Sequence, residues 1–309
     1  MEKRTKRNLI TYFIIGGSCL AIGGTLGVVG KRVLGQEIID NSNVNPSEFV
    51  PDVASIYAKY KKYNGSNVAK DFTPVELVNI ALEKYRNCDY CYSVGVGQAK
   101  ANSLGINVVQ LVRSCQIKHL DSYFEESASY SSMVPVAVRS YQEGKDGSVE
   151  CYKTKSVSSN AESATYSGNP TVYEHDNYKS TWGKTLDEMF IYVISNNTLV
   201  SAEPVEIDKE SGNLTITLTL DNDFSTYFYQ KQMVTISGLD SNPSFSKEKL
   251  TFTLTSRLEL VHLRCEEEYV ATMGFSANTS ATIDYYYYPD MYMDIPELNT
   301  PFDYSIINK

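Results

Sequence analysis

From Leu214 to Leu220 the chain reads LTITLTL, and from Leu250 to Leu254 it reads LTFTL. In both stretches every second residue is Leu, Ile or Phe and the residues between are threonines, a period of two that places one face of each strand inward and the other in water. This is the signature of an antiparallel sheet with one buried face. Just upstream, the turn Asp208-Lys-Glu-Ser-Gly212 joins Val205–Ile207 to the first of these strands as a hairpin. Further strands are expected over Tyr90–Gln98, Val108–His119, Val134–Tyr141, Val149–Thr154, Leu258–Tyr269 and Thr282–Tyr288. That makes a sheet of about eight strands by the same alternation.

Helices interrupt this pattern rarely. Thr73-Pro-Val-Glu76 combines an N-cap hydroxyl, proline at the first helical position and a glutamate at the third, with Phe72 and Leu77 placed to form a hydrophobic staple. It predicts a helix from Pro74 to Tyr85. A second capping box, Thr185-Leu-Asp-Glu188, predicts an apolar helix through Met189, Ile191, Val193 and Ile194 that stops at Asn196-Asn197. Weaker signals place helices over Ser225–Ile236 and Pro51–Tyr63, the latter either a narrow stripe of Ile56, Tyr57 and Tyr60 or a solvated stalk. Residues 156–181, rich in Ser, Asn and Thr, read as a long loop. With so few crossovers the strands must be antiparallel, so the fold class is α+β.

Ahead of this domain lies a different kind of sequence. Residues 9–30, LITYFIIGGSCLAIGGTLGVVG, contain no charge in 22 positions; as a helix they rise about 33 Å, against a bilayer core of about 30 Å. Lys3, Arg4, Lys6 and Arg7 precede the run and only Lys31 and Arg32 follow, so the positive-inside bias makes 1–8 a cytoplasmic tail, 9–30 a transmembrane anchor, 31–70 a tether and 71–309 an extracytoplasmic β-rich domain. The expected location is the cell membrane, single-pass, N-terminus in. Gly16-Gly-Ser before Cys19 leaves open a lipidated cysteine or a cleavage site, but the apolar run continues for eleven residues past Cys19. Gly23 and Gly27 have the small-xxx-small spacing that lets helices approach closely.

Composition narrows the function classes. Of 28 basic and 37 acidic residues, six basic and one acidic fall within 1–32, leaving the remainder at −14. An acidic body repels phosphate backbones, so nucleic acid is not expected as a partner. Tyr outnumbers Trp by 24 to 1, which suits strands and wet cavity walls, and which base composition of the genome explains equally well.

Chemistry-bearing motifs are sparse. Cys88-Asp-Tyr-Cys91 follows a helix and enters a strand, the reverse of thioredoxin-like sites, and a zinc set with Cys115 and His119 would need two residues about 13 Å apart along one strand. Structural thiols or a local disulfide fit better. His175-Asp176 in the long loop is the one pair suited to acid–base work. The chain has no nucleophile elbow, no zincin motif, no phosphate loop and no full calcium loop, so neither cofactor nor metal is expected and catalysis is disfavoured.

Four stretches carry a family resemblance: TPVELVNIALEKY (73–85), YQEGKDGSVECYK (141–153), FSTYFYQKQMVTISGLDSNPSFSKEKLTFTLTSRLEL (224–260) and ATIDYYYYPDMYMDIPEL (281–298). In this order they resemble the lipoprotein-carrier-like half-barrel superfamily, with its LolA-type carriers, LppX-type lipoproteins and clostridial spore germination lipoproteins. The chain departs from many members in lacking a lipobox. The resemblance implies a curved antiparallel half-barrel covered by a few helices, enclosing a cavity for acyl chains or lipid-linked groups. It also leaves room for a scaffold of the cell envelope or spore that binds an envelope protein or a second copy, and an unrecognised hydrolase is a third reading. Ile216, Leu218, Phe252, Leu254, Tyr285 and Tyr287 share the apolar phase of their strands and are the candidate cavity wall.

Overall fold

The computed structural model describes residues 45, 48–103, 106–131, 136–166, 168–237, 242–271, 275–287, 295–296, 298 and 302–303. The tail, the anchor and the first part of the tether lie outside these residues. No described helix is long and apolar enough to cross a membrane.

Three helices come first: α1 (Val53–Lys61), α2 (Val68–Asp71) and α3 (Pro74–Asn87). A meander follows: β1 (Tyr90–Ser103), β2 (Ile106–His119), β3 (Ser122–Ser131), β4 (Val136–Glu143), β5 (Val149–Val157), β6 (Ser163–Tyr166) and β7 (Thr171–Tyr173). Next come α4 (His175–Trp182), β8 (Leu199–Ala202), β9 (Glu206–Ile207), β10 (Leu214–Leu220), α5 (Tyr227–Ser237), β11 (Ser244–Leu254), β12 (Leu260–Ala271), β13 (Phe275–Tyr287) and β14 (Phe302–Asp303). The described strands form one open antiparallel sheet in the order β14-β6-β5-β4-β3-β2-β1-β13-β12-β11-β10-β8, with β7 beside β5 and β9 beside β10. Its centre is the β1–β13 pair, which joins the sequential meander to the C-terminal strands in register from Cys91↔Tyr287 to Asn102↔Ser276. An α+β fold built on a large, unclosed antiparallel sheet agrees with the expectation, although the strands number fourteen rather than about eight.

Several expected elements form for the expected reasons. The Thr73 hydroxyl accepts from the Glu76 amide at 3.2 Å and the Glu76 carboxylate accepts from the Thr73 amide at 2.8 Å, which completes the capping box of α3. The β9–β10 hairpin turns at Gly212, whose φ of 72° needs a residue without Cβ. The Asp208 carboxylate accepts from the amides of Glu210 and Ser211 inside that turn. The stripe of Ile56, Tyr57 and Tyr60 on α1 packs against the main core, and Lys59 pairs with Glu76 of α3 at 2.6 Å.

Two expectations are corrected. The Thr185–Glu188 capping box exists, but the helix it opens is a single 3-10 turn, Leu186–Glu188, because Met189 turns left-handed at φ 56°. Residues 189–195 then run on as a segment outside any helix or strand, all buried except the half-buried Phe190. Its residues Phe, Ile, Tyr, Val and Ile are β-branched or aromatic, poor helix formers that fit between layers when all sides are buried. The proposed long loop, 156–181, holds β6, β7 and α4 instead. Ala164 and Tyr166 of β6 and Tyr178 and Trp182 of α4 are buried, so these short elements are held by tertiary packing.

The main core lies on one face of the sheet, where α3, α5 and the 189–194 segment cover β10–β13. The opposite face is covered over β1–β6 by a second apolar layer of Tyr92, Ile117, Phe124, Ala137, Tyr152 and Tyr166, closed by Ile295 and Leu298.

Candidate functional site

The segment 189–194 has neither helix nor ladder partners, so its backbone polar groups must be met individually. Gln116 of β2 donates to the Met189 carbonyl at 3.2 Å, and Asn79 of α3 donates to the Ile194 carbonyl at 2.8 Å. The Val193 amide donates to the Ser225 carbonyl at 2.8 Å. Both amide side chains are buried, so these bonds hold the segment at its two ends.

Between this segment and α3 lies a half-open cavity of about 300 Å³. Leu82, Met189, Phe190, Ile191, Val193 and Phe228 give it an apolar lining, with Tyr85 and Tyr285 in the wall next to the sheet. The two tyrosine rings meet edge to face at 4.9 Å. Burial raises both phenols well above their ordinary range, and the Tyr285 hydroxyl has no hydrogen-bond partner among the described residues. The cationic side chains in the lining are compensated: Lys184 binds the buried Glu125 carboxylate at 2.7 Å, Lys179 pairs with Glu188, and Arg86 lies 3.7 Å from Asp187. The site is therefore mainly apolar, with the phenols of Tyr85, Tyr192 and Tyr285 buried in its wall, rather than an anion trap.

Of the six residues expected on a cavity wall, Tyr285 lines this cavity. Ile216, Leu218, Phe252 and Leu254 are fully buried in the main core, and Tyr287 packs partly buried beside it, 5.7 Å from Tyr85. The stretch Met189 to Ile194, which the sequence pattern assigns to a helix, supplies a further part of the lining, and its unbroken apolar run is the signal that points to burial.

The chain matches no protein-family model and no curated protein. Among solved structures, a DUF1329 family protein from Desulfovibrio piger ATCC 29098 aligns over 69% of this chain and 90% of its own, at 10% identity and a TM-score of 0.22. At that score the likeness carries no argument.

The other sequence motifs fall outside the cavity. Cys88 and Cys91 are free thiols that both donate to the Tyr85 carbonyl, at 3.0 and 3.6 Å. Cys115 lies on the other face of the sheet among Tyr92, Ile117 and Phe124, and His119 packs tilted against the Tyr90 ring at 4.7 Å, so the fold does not bring the four residues of the zinc reading together. His175 opens α4 with Nδ1 3.3 Å from Asp176 and Nε2 3.9 Å from Asp187; neither it nor these carboxylates line the cavity.

Proposed function

We propose that this chain is a membrane-anchored, extracytoplasmic binding module for an apolar or lipid-bearing ligand, held between α3 and the 189–194 segment. The observation that carries the reading is the cavity of about 300 Å³, at the lower end of the range of small-molecule sites and lined mainly by aliphatic and aromatic side chains. The open antiparallel sheet with helices on one face supports the half-barrel resemblance, and the apolar stretch 9–30 supports the anchor. A scaffold role is the second reading, favoured by the solid packing of Ile216, Leu218, Phe252 and Leu254.

Photo-crosslinking in membranes with a diazirine-bearing fatty acid separates the two. Label on peptides spanning 79–86 and 188–194 is the expected result. Label confined to the 9–30 stretch, or absent from the domain, would leave the scaffold reading in front.

A further inference from the structure

On the cavity's far side, two carboxyl groups stand opposite one another in the core. Glu248 of β11 and Glu267 of β12 are register partners, and both side chains are buried among the residues of the main core. Glu267 accepts from Tyr192, from Thr279 of β13 at 2.9 Å and from Tyr229 of α5 at 3.4 Å. Neither oxygen of Glu248 has a hydrogen-bond partner among the described protein groups. The groups that act on the pair are the phenols of Tyr192 and Tyr229 from the covering layer and Tyr269 and the Cys265 thiol from β12. No cation is among them.

Tyr192 connects this pair to the cavity, since it lines the cavity while its hydroxyl donates to Glu267. Tyr229 donates to Glu267 from α5 without lining the cavity, although its neighbour Phe228 does line it. We propose that the Glu248–Glu267 pair is a proton-operated latch on the cavity wall, closed while the pair holds a proton and released when both carboxyls ionise. The idea rests on the cavity being the binding site, and it assigns that site its regulation.

The physical argument is one of alternatives. Two carboxylates facing each other without a cation in an apolar interior cannot both ionise at low cost. Burial pushes Glu267 up to about 7, and burial together with the Glu267 charge holds Glu248 well above the usual carboxylate range. Once both are charged, the strain must be relieved by movement or by water. The carboxylates sit on central strands with partners on both sides, whereas Tyr192 belongs to a segment held by side-chain bonds near its ends. The segment gives way first. Opening it would widen the cavity mouth and free a ligand as pH rises beyond about 7, once Glu248 as well as Glu267 is ionised.

Hydrogen exchange of the full-length chain, followed on peptides covering 189–194 at pH 6 and pH 8.5, tests this directly. Glu248→Gln keeps Glu267 and its three donors but removes the repulsion. Relative to this variant at the same pH, wild-type exchange should quicken by roughly tenfold between the two conditions, the factor that one unit of pKa difference confers. A constant ratio would overturn the latch. If Glu248→Gln fails to fold, the wild-type ratio of 189–194 to peptides of β4 serves as the reference, with the same expected change. Fatty-acid photo-labelling at the two pH values then reads the coupling: label should fall with pH in wild type and not in Glu248→Gln. Absence of label at both values, with pH-dependent exchange intact, would sink the binding reading and leave the latch.

Discussion

Glu125 and Glu126 are consecutive in β3, and their side chains leave the sheet on opposite faces, each buried against a cation. Glu125 meets Lys184 at 2.7 Å beneath the α4 layer, while Glu126 meets Arg139 of β4 with Nε–Oε2 at 2.6 Å. Arg139 also lies over the Tyr166 ring at 4.4 Å and donates to the Leu298 carbonyl at 2.9 Å. A strand that buries a charge on both faces has a covered layer on each side, and here the second cover is the C-terminal segment.

Removing one partner of such a pair exposes the other to an uncompensated interior. Arg139→Met should cost about 3–5 kcal/mol in urea denaturation of the full-length chain, whereas Glu126→Gln with Arg139→Met should recover most of it. A loss under 1 kcal/mol for the single change would mean that water reaches Glu126.

The acid pair predicts an alkaline weakness. Glu267 binds its proton more tightly folded, up to about 7, than its ordinary value of 4.5. The stability it contributes is therefore full below 4.5 and is lost as pH rises to about 7, and Glu248, also raised, adds a loss in the same direction. Glu267→Gln should flatten this slope by about 3 kcal/mol between pH 5 and pH 8. Parallel stability–pH curves for wild type and variant would refute it.

Leu218 and Ile191 are both buried aliphatics, yet only Ile191 lines the cavity. Leu218→Trp should overpack the core and cost about 1–3 kcal/mol while leaving fatty-acid labelling of the folded fraction intact. Ile191→Trp should instead reduce labelling with a smaller stability loss, because open space can take the ring. The reverse pattern would place the ligand in the β10–β11 core.

Gly183 ends α4 at φ 84°, and a Cβ there would collide with the Phe228 carbonyl of α5. Gly183→Ala should destabilise by more than the roughly 1 kcal/mol of backbone strain alone, and should loosen α4 from α5, seen as faster exchange in 227–233. Unchanged exchange there would show that α5 adjusts without cost.

How far the sequence was readable follows from how many faces each element buries. β10 and β11 alternate cleanly because their outer positions stay open enough for threonine, and α3 announces itself through Thr73, Pro74 and Glu76. β3 was missed because SYFEESASYS buries residues on both faces, so its glutamates interrupt an alternation that tertiary ion pairs make tolerable. The cavity wall was misread for a related reason: Met189–Ile194 follows a genuine capping box, and nothing local reveals that Asn79 and Gln116, far away in the chain, supply its bonds.

The pairing of β1 with β13 has a consequence for biogenesis. The meander from β1 to β6 zips up from neighbours in sequence, but the sheet's central seam and the main core wait for residues 275–287 to arrive. A chain threaded through a membrane from its N-terminus would display the unpaired edge of β1 throughout that interval, since non-local strand pairing is slow and exposed edges invite wrong partners. The polar inner row of β1, Ser93, Gly95 and Gly97, is poorly adhesive compared with the leucine rows of β10 and β11. The inner row of the strand that waits longest for its partner thus offers little apolar surface to a wrong one, a safeguard against aggregation during folding.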